Sequence, residues 1–295
     1  MSSPSPDNSA PGSKVPSSKS ESSRDDYVLG YTEEELQRLK MQARFLRPYT
    51  EKYLRAAGIG QAMSVLDVGA GVGDVSLLLG ELVGQGGAVL GVDRDEHSLA
   101  HAHMRAVQAR CSDWVEFTQA NLDEFSTERK FDALVGRLVL LYQPDPAATI
   151  RRLLQFVRPG GIVAFIEIDF ANKNPTDPPC PTWDEPYALV GEAFRRAGFS
   201  PDYGRRVGNA FLGAGLPFPT LQADVTVGGG KGSFLYPWCA YTLTSVAPRL
   251  EALGIPKPNF PLDASLIPMM EKAIVAQGSQ IMGPTMVGAW TRKRI

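Results

Sequence analysis

A chain of 295 residues that is 43% hydrophobic and 21% charged has ample material for a buried core, and a soluble globular protein is expected. Its formal net charge of −2 carries no basic excess, which argues against nucleic acid or an anionic membrane as a partner. No apolar run approaches the roughly 20 residues of a membrane span. Cys111, Cys180 and Cys239 are odd in number and form no CxxC pair, so a reducing, cytoplasmic setting fits and neither a zinc site nor a disulfide framework is expected.

Residues 1–26 are rich in Ser and Pro, with Val15 almost alone as a bulky apolar residue. They bury too little to order themselves and are expected to form a disordered tail, without the apolar stretch of a secretory signal. Ordered structure is expected from Tyr27. Thr32 and Glu35 make a capping box ahead of Leu36, Leu39, Ala43 and Leu46 at helical spacing, and a second helix, about 50–57, precedes Gly58. Residues 27–60 thus read as a helical cap.

A regular alternation follows: strand 64–68, helix 73–83, strand 88–92, helix 96–109, strands 115–119 and 131–136, helix 146–157 and strand 162–168. Asp145 and Pro146 suit the N-cap and first turn of the helix at 146, and "RPGG" at 158–161 is expected to stop it. Such repetition makes an α/β fold with a mostly parallel sheet and right-handed crossovers, and ligands of such folds sit at the carboxyl ends of the strands. After Asp169 come a Pro-rich connection, a helix over 183–197, a strand from Thr220, a mostly helical stretch from Phe234 to Gln277 and a last strand over 283–293. The core is therefore expected over 61–226 and 282–295. Residues 227–281, too long for a plain connection, are expected to form a helical insertion serving as a substrate lid.

The stretch "SVLDVGAGVGDVS", residues 64–76, places a glycine-rich turn between a strand and a helix. A nicotinamide or flavin fingerprint reads GxGxxG, whereas Gly69, Gly71 and Gly73 are spaced GxGxG behind Asp67. Glycines there let the backbone bend sharply and approach a ligand with no Cβ in the way. Asp93, closing the second strand 22 residues after Gly71, can accept from both hydroxyls of a ribose.

This pattern resembles motif I of the class I S-adenosylmethionine-dependent methyltransferases, and the resemblance runs over roughly residues 60–170. It implies a Rossmann-like, doubly wound, seven-stranded sheet with helices on both faces and S-adenosylmethionine as cofactor. It further implies an adenine contact from Asn121 and Leu122, and a place for Arg137 beside the methionine amino group. Ala70 in the turn and Arg94 after Asp93 join that expected set, as does Tyr27, since in many relatives the segment before the first helix folds over the cofactor. No D/N-P-P-Y/F motif follows the fourth strand, so the chain is most similar to the ubiquinone/menaquinone-biosynthesis type and to small-molecule methyltransferases of secondary metabolism. A small-molecule acceptor and a monomer or homodimer are expected, with a protein acceptor or a binding-only module as rivals.

Candidate acceptor-side residues follow from the same edge of the sheet. Glu167 and Asp169 end the fifth strand at i, i+2, and Tyr142 follows the fourth; any of them could orient a nucleophile or act as base. Tyr31, Trp238 and Tyr241 are candidates for an aromatic acceptor pocket. His97, His101 and His103 lack the glutamate of a zinc motif, and no metal is expected.

Overall fold

A computed structural model describes Met1 and residues 33–294. The expected tail, Tyr27, Tyr31 and the Thr32 cap lie outside the described residues. The first element, α1 (Glu33–Ala56), is one helix where two were expected, and it runs on through Pro48. Proline removes one helical hydrogen bond. A continuous buried stripe of Ala43, Leu46, Thr50, Tyr53 and Leu54 spans that position and outweighs the loss.

The alternating region contains β1 (Ser64–Val68), α2 (Asp74–Val83), β2 (Ala88–Asp93), α3 (Glu96–Gln108), β3 (Val115–Gln119), β4 (Phe131–Arg137), α4 (Pro146–Leu153) and β5 (Val157–Asp169). Asp95 caps α3 by accepting from the Ser98 N–H at 2.8 Å, and Asp145 caps α4 through the Ala148 N–H at 2.9 Å. The "RPGG" run does not separate helix from strand as expected. Strand pairing already begins at Val157 opposite Phe131, and the register jumps so that Ile162 faces Ala133. The run is a bulge inside β5, with Gly160 at φ +73°.

The remaining elements are β6 (Thr176–Asp177), α5 (Pro181–Arg196), α6 (Val207–Gly213), β7 (Thr220–Gly228), α7 (Leu235–Val246), α8 (Leu266–Gln277) and β8 (Gln280–Arg292). Strands β3, β2, β1, β4 and β5 are parallel in that order. The late strand β8 lies antiparallel between β5 and β7, and the short β6 pairs with its first residues. Among the described residues that makes eight strands where seven were expected, the extra one being the two-residue β6.

Side chains alternate across the sheet and sort its two faces. Val65, Ala133, Val135, Ile162 and Ala164 pack against α1, α2 and α3, while Leu66, Leu134, Val163 and Phe165 pack toward α4 and α6. Helices α7 and α8 of the expected insertion are continuous with the core. Helix α7 packs on α1, α5 and α8, and its Leu235, Trp238 and Leu243 are buried in the same core as the sheet. Phe45 of α1 stacks on Phe234 with ring centroids 4.2 Å apart, which ties the N-terminal helix to this cap. Among the described residues no helix is long and apolar enough to cross a membrane, and the three cysteines are buried and free.

One tight contact locks α1 to the sheet. A Cβ at Gly288 of β8 would lie 2.6 Å from Tyr53 Cγ, and Tyr53 cannot yield because its hydroxyl is held between two acceptors, Asp224 Oδ2 at 2.7 Å and the Met286 carbonyl at 3.1 Å, which share its one proton. Gly288→Ala should therefore cost about 1 to 3 kcal/mol through overpacking. A thermal melt checks this: a midpoint several degrees lower is expected, and an unchanged one would show that α1 is not pinned here.

Candidate functional site

The carboxyl ends of β1, β2 and β4 converge on the turn after β1. Gly69 and Ala70 donate their N–H groups to the Val92 carbonyl at 2.8 and 3.1 Å, and the Gly71 N–H donates to Asp93 Oδ2 at 2.8 Å. The second Asp93 oxygen accepts from the Asp95 N–H at 3.0 Å. Burial raises the Asp93 pKa, and the N–H groups of Asp95 and Gly71 oppose that shift. The carboxylate has about four lone-pair sites, so these N–H groups leave it able to accept from a ligand hydroxyl as well.

The three motif glycines serve different ends. All have positive φ, but a Cβ at Gly69 would strike Val139 at 2.4 Å, and one at Gly73 would strike Ala102 at 2.9 Å, so these two are needed for packing. Only a Cβ at Gly71 would meet no atom within 4 Å. It would project into a cavity of about 970 Å³. Gly69 nonetheless lines the same cavity.

That cavity brings together most of the expected cofactor residues: Gly69, Ala70, Gly71, Asp93, Arg94, Asn121, Leu122 and Arg137 all line it. Asp67 and Gly73 lie outside its lining. Asp67 is buried beneath the turn, where its Oδ2 accepts from the Ser76 hydroxyl at 2.5 Å and its Oδ1 has no hydrogen-bond partner among the described residues. Burial pushes its carboxyl up to about 7, against the pull of Ser76 and Arg137. The Arg137 guanidinium donates to Thr50 Oγ1 at 3.1 Å and lies 3.8 Å from Asp74, which also pairs with Arg105 at 2.6 Å. Burial lowers the Arg137 pKa, opposed by Asp74 and Asp67. An electrically balanced cluster thus underlies the glycine turn.

The far half of the cavity is apolar. Tyr142 and Trp238 line it as expected, together with Ile168, Phe170, Phe194 and Phe199. Phe170 stacks on Trp238 at 5.9 Å, and Tyr142 meets Phe199 edge to face at 5.0 Å. Tyr241 does not line the cavity. On α7 the inward positions are Trp238 and Thr242, one helical turn apart, and Tyr241 falls off that face.

Glu167 and Asp169 are also absent from the lining. Alternation along β5 sends Ile168 and Phe170 into the cavity and the two carboxylates to the opposite face. Asp169 is held by Arg205 through two bonds, at 2.6 and 3.0 Å, and caps the Ala171 N–H. Glu167 Oε1 accepts from the Val139 and Leu140 N–H groups at 3.1 and 2.8 Å. Of the three expected bases, only Tyr142 reaches the cavity. Sequence reasoning missed Phe170, Phe194, Phe199, Arg196 and Arg249. The period of two at the end of β5 was the available signal for Phe170; the others sit on a helix end and turns that carry no motif. His97 and His101 lie edge to face at 4.9 Å on α3, and among the described residues no cluster of three or more metal-ligating side chains occurs.

The family described as "Methyltransferase domain" matches residues 59–193. The ubiquinone biosynthesis O-methyltransferase of Pseudomonas fluorescens SBW25 is 37% identical over 114 residues, covering 38% of this chain and 45% of that protein. Its counterpart in Bordetella avium 197N is 34% identical over 122 residues, covering 40% and 47%. The chain spans about half the length of these curated relatives. Among solved structures, a candidate methyltransferase of Bacillus halodurans C-125 superposes with a TM-score of 0.55 at 16% identity, over 83% of this chain and 99% of that one. A phosphoethanolamine N-methyltransferase of Haemonchus contortus, solved with S-adenosylhomocysteine, gives 0.52 at 15% identity, over 84% and 53%. At these identities the structures establish the fold. The matched segment, residues 59–193, holds the D-x-G-x-G-x-G turn, Asp93 and Asn121 and is similar to that methyltransferase family.

Proposed function

We propose that this chain transfers a methyl group from S-adenosylmethionine to a small-molecule acceptor by in-line displacement. The observation that carries the reading is the single cavity that joins the Gly71 opening, Asp93, Asn121 and Leu122 on one side to an aromatic compartment on the other. Asp93 would hold the ribose, Asn121 and Leu122 the adenine, and the turn from Gly69 to Gly71 the methionine portion. The cofactor supplies an electrophilic methyl on a positively charged sulfur, and that charge is lost as the methyl leaves. The protein's tasks are therefore alignment and exclusion of water, for which aromatic walls are suited. A fold neighbour is a [4+2]-cyclase, SpnF, with a TM-score of 0.50 at 18% identity, so the architecture by itself does not fix the reaction.

Glu167 acts here as a strap and not as a base. It holds the N–H groups of Val139 and Leu140, next to Leu138 at φ +57°, and Leu138, Val139 and Leu141 all line the cavity. Burial pushes its carboxyl up to about 8, outweighing the donors at Leu140 and Val139. A raised carboxyl pKa means that the folded state binds more protons than the unfolded state, so this group's contribution to stability is full below the unfolded value and declines as pH rises toward 8.

Titration calorimetry should show that the protein binds S-adenosylhomocysteine and not NAD, and incubation with methyl-labelled cofactor should label a metabolite extract and not a proteome. Binding of NAD or label on protein would contradict the reading. Asp93→Ala should weaken cofactor binding by about 1.5 to 3 kcal/mol, the scale for hydrogen bonds to a charged group. Gly71→Val should abolish it, whereas Gly160→Val, also at a positive φ (+73° against +50°) and with open space for its side chain, should likewise strain the backbone and keep the affinity. Equal loss in both variants would make the effect one of folding. For Glu167→Gln, denaturant melts between pH 5 and 8 should show the variant gaining on wild type as pH rises, with turnover retained; a pH-independent difference, or abolished turnover in a folded variant, would refute the strap.

A further inference from the structure

We infer that Arg152 is a positioning residue for base recognition: from the last turn of α4 its guanidinium clamps the turn at 121–125 and so sets Asn121 and Leu122 against the base of a bound nucleoside. This rests on the reading of the cavity as an S-adenosylmethionine site and adds the group that sets its selectivity for adenine.

The turn after β3 is built around one carbonyl. The N–H groups of Glu124 and Phe125 both donate to the Asn121 carbonyl, at 3.0 and 2.8 Å, and Asn121 Oδ1 lies 3.5 Å from the Asp123 N–H. The Asn121 side chain is thus folded back over its own turn, and the direction of its amide depends on that turn being closed. Asn121, Leu122 and Asp123 line the cavity. Only Leu122 and Phe125 of the five residues are buried, with Phe125 edge to face on Phe156 at 5.1 Å. Apolar packing therefore pins the turn at two points and leaves the backbone between them to be held by other means.

Arg152 supplies that hold. Its Nε donates to the Asp123 carbonyl at 2.8 Å, and its Nη1 and Nη2 both donate to the Phe125 carbonyl, at 3.0 and 2.9 Å. A planar fork that grips two carbonyls two residues apart fixes their separation, which a single ammonium does not do. The bonds are also charge-assisted, and so stronger than those between neutral groups. The fork is carried on a firm base, since Ile150 and Leu153 on either side of it are fully buried in the core. Arg151, its neighbour in the same turn of α4, points elsewhere and donates to the Gly213 carbonyl. If loss of the clamp leaves the turn closed only about a tenth of the time, a ligand that needs it closed binds about tenfold more weakly.

The test uses the full-length protein and two ligands that differ at one edge of the base: S-adenosylhomocysteine, with an amino donor there, and S-inosylhomocysteine, with a carbonyl oxygen. Calorimetry should find wild type binding the first about tenfold or more tighter. Arg152→Gln should weaken S-adenosylhomocysteine about tenfold and leave S-inosylhomocysteine within about twofold, so that selectivity is lost. Asn121→Ala should do the same, and the double variant should lose nothing further. In the ligand-free protein, amide hydrogen exchange at Glu124 and Phe125 should quicken in Arg152→Gln while that at Gly71 does not. Arg151→Gln removes the same charge from the same helix turn and should change neither selectivity nor exchange. Selectivity retained in Arg152→Gln, equal weakening of both ligands, or unchanged exchange at Glu124 and Phe125 would overturn the inference. Wild type that binds neither ligand would instead overturn the methyl-transfer reading, the clamp on the turn being upheld by the exchange alone.

Discussion

The hydrogen bond from the Gly71 N–H to the Asp93 carboxylate fixes the functional edge of this protein. Parallel pairing aligns Val68 with Val92, so the chain leaves β1 beside the end of β2, and three backbone donors of the glycine turn find acceptors there. The other Asp93 oxygen takes the Asp95 N–H and so sets the start of α3. One buried carboxylate therefore orients a turn, a helix and the rim of the cavity. A side chain at Gly71 would enter the space that this arrangement keeps open.

Beneath the turn the charges are nearly all answered by protein groups. Arg137 and Arg105 flank Asp74, and Ser76 satisfies one oxygen of Asp67. Such a network is costly to desolvate and is tolerated because its members face one another. Among the described residues Asp67 Oδ1 has no hydrogen-bond partner, and Asp74 Oδ1 is answered by the Arg105 charge alone. Across the cavity the described lining is largely aromatic, with Tyr142, Phe170, Phe194, Phe199 and Trp238, and Glu167 and Asp169 lie outside it.

Most of the alternating region was legible in the sequence because each parallel strand is a short apolar run followed by turn chemistry. Strands β1 and β3 have the expected bounds, and Asp145 and Pro146 start α4 as read. Pro48 and the "RPGG" run misled because local propensity was taken over tertiary context: a buried stripe carries α1 through proline, and pairing with β4 absorbs the glycines of β5 as a bulge. The part of the cavity lined by Gly71, Asp93 and Asn121 could be read since these residues lie at neighbouring strand ends. The aromatic part could not, because Phe194, Phe199, Arg196 and Arg249 come from a helix end and turns joined only by tertiary packing. At the end of β5 the correct period pointed to two carboxylates on one face, but nothing local said which face the cavity occupied.

The central claim is that the β1 turn, the β2 end and the loops after β3 and β4 form one ligand seat. Hydrogen–deuterium exchange of the full chain with and without S-adenosylhomocysteine tests it most directly, since exchange reports local opening of backbone bonds. The account predicts added protection in peptides covering residues 69–73, 93–95, 120–122 and 137–142 together, with the β7–β8 pair unchanged. Protection confined elsewhere, or none at a saturating ligand concentration, would contradict it.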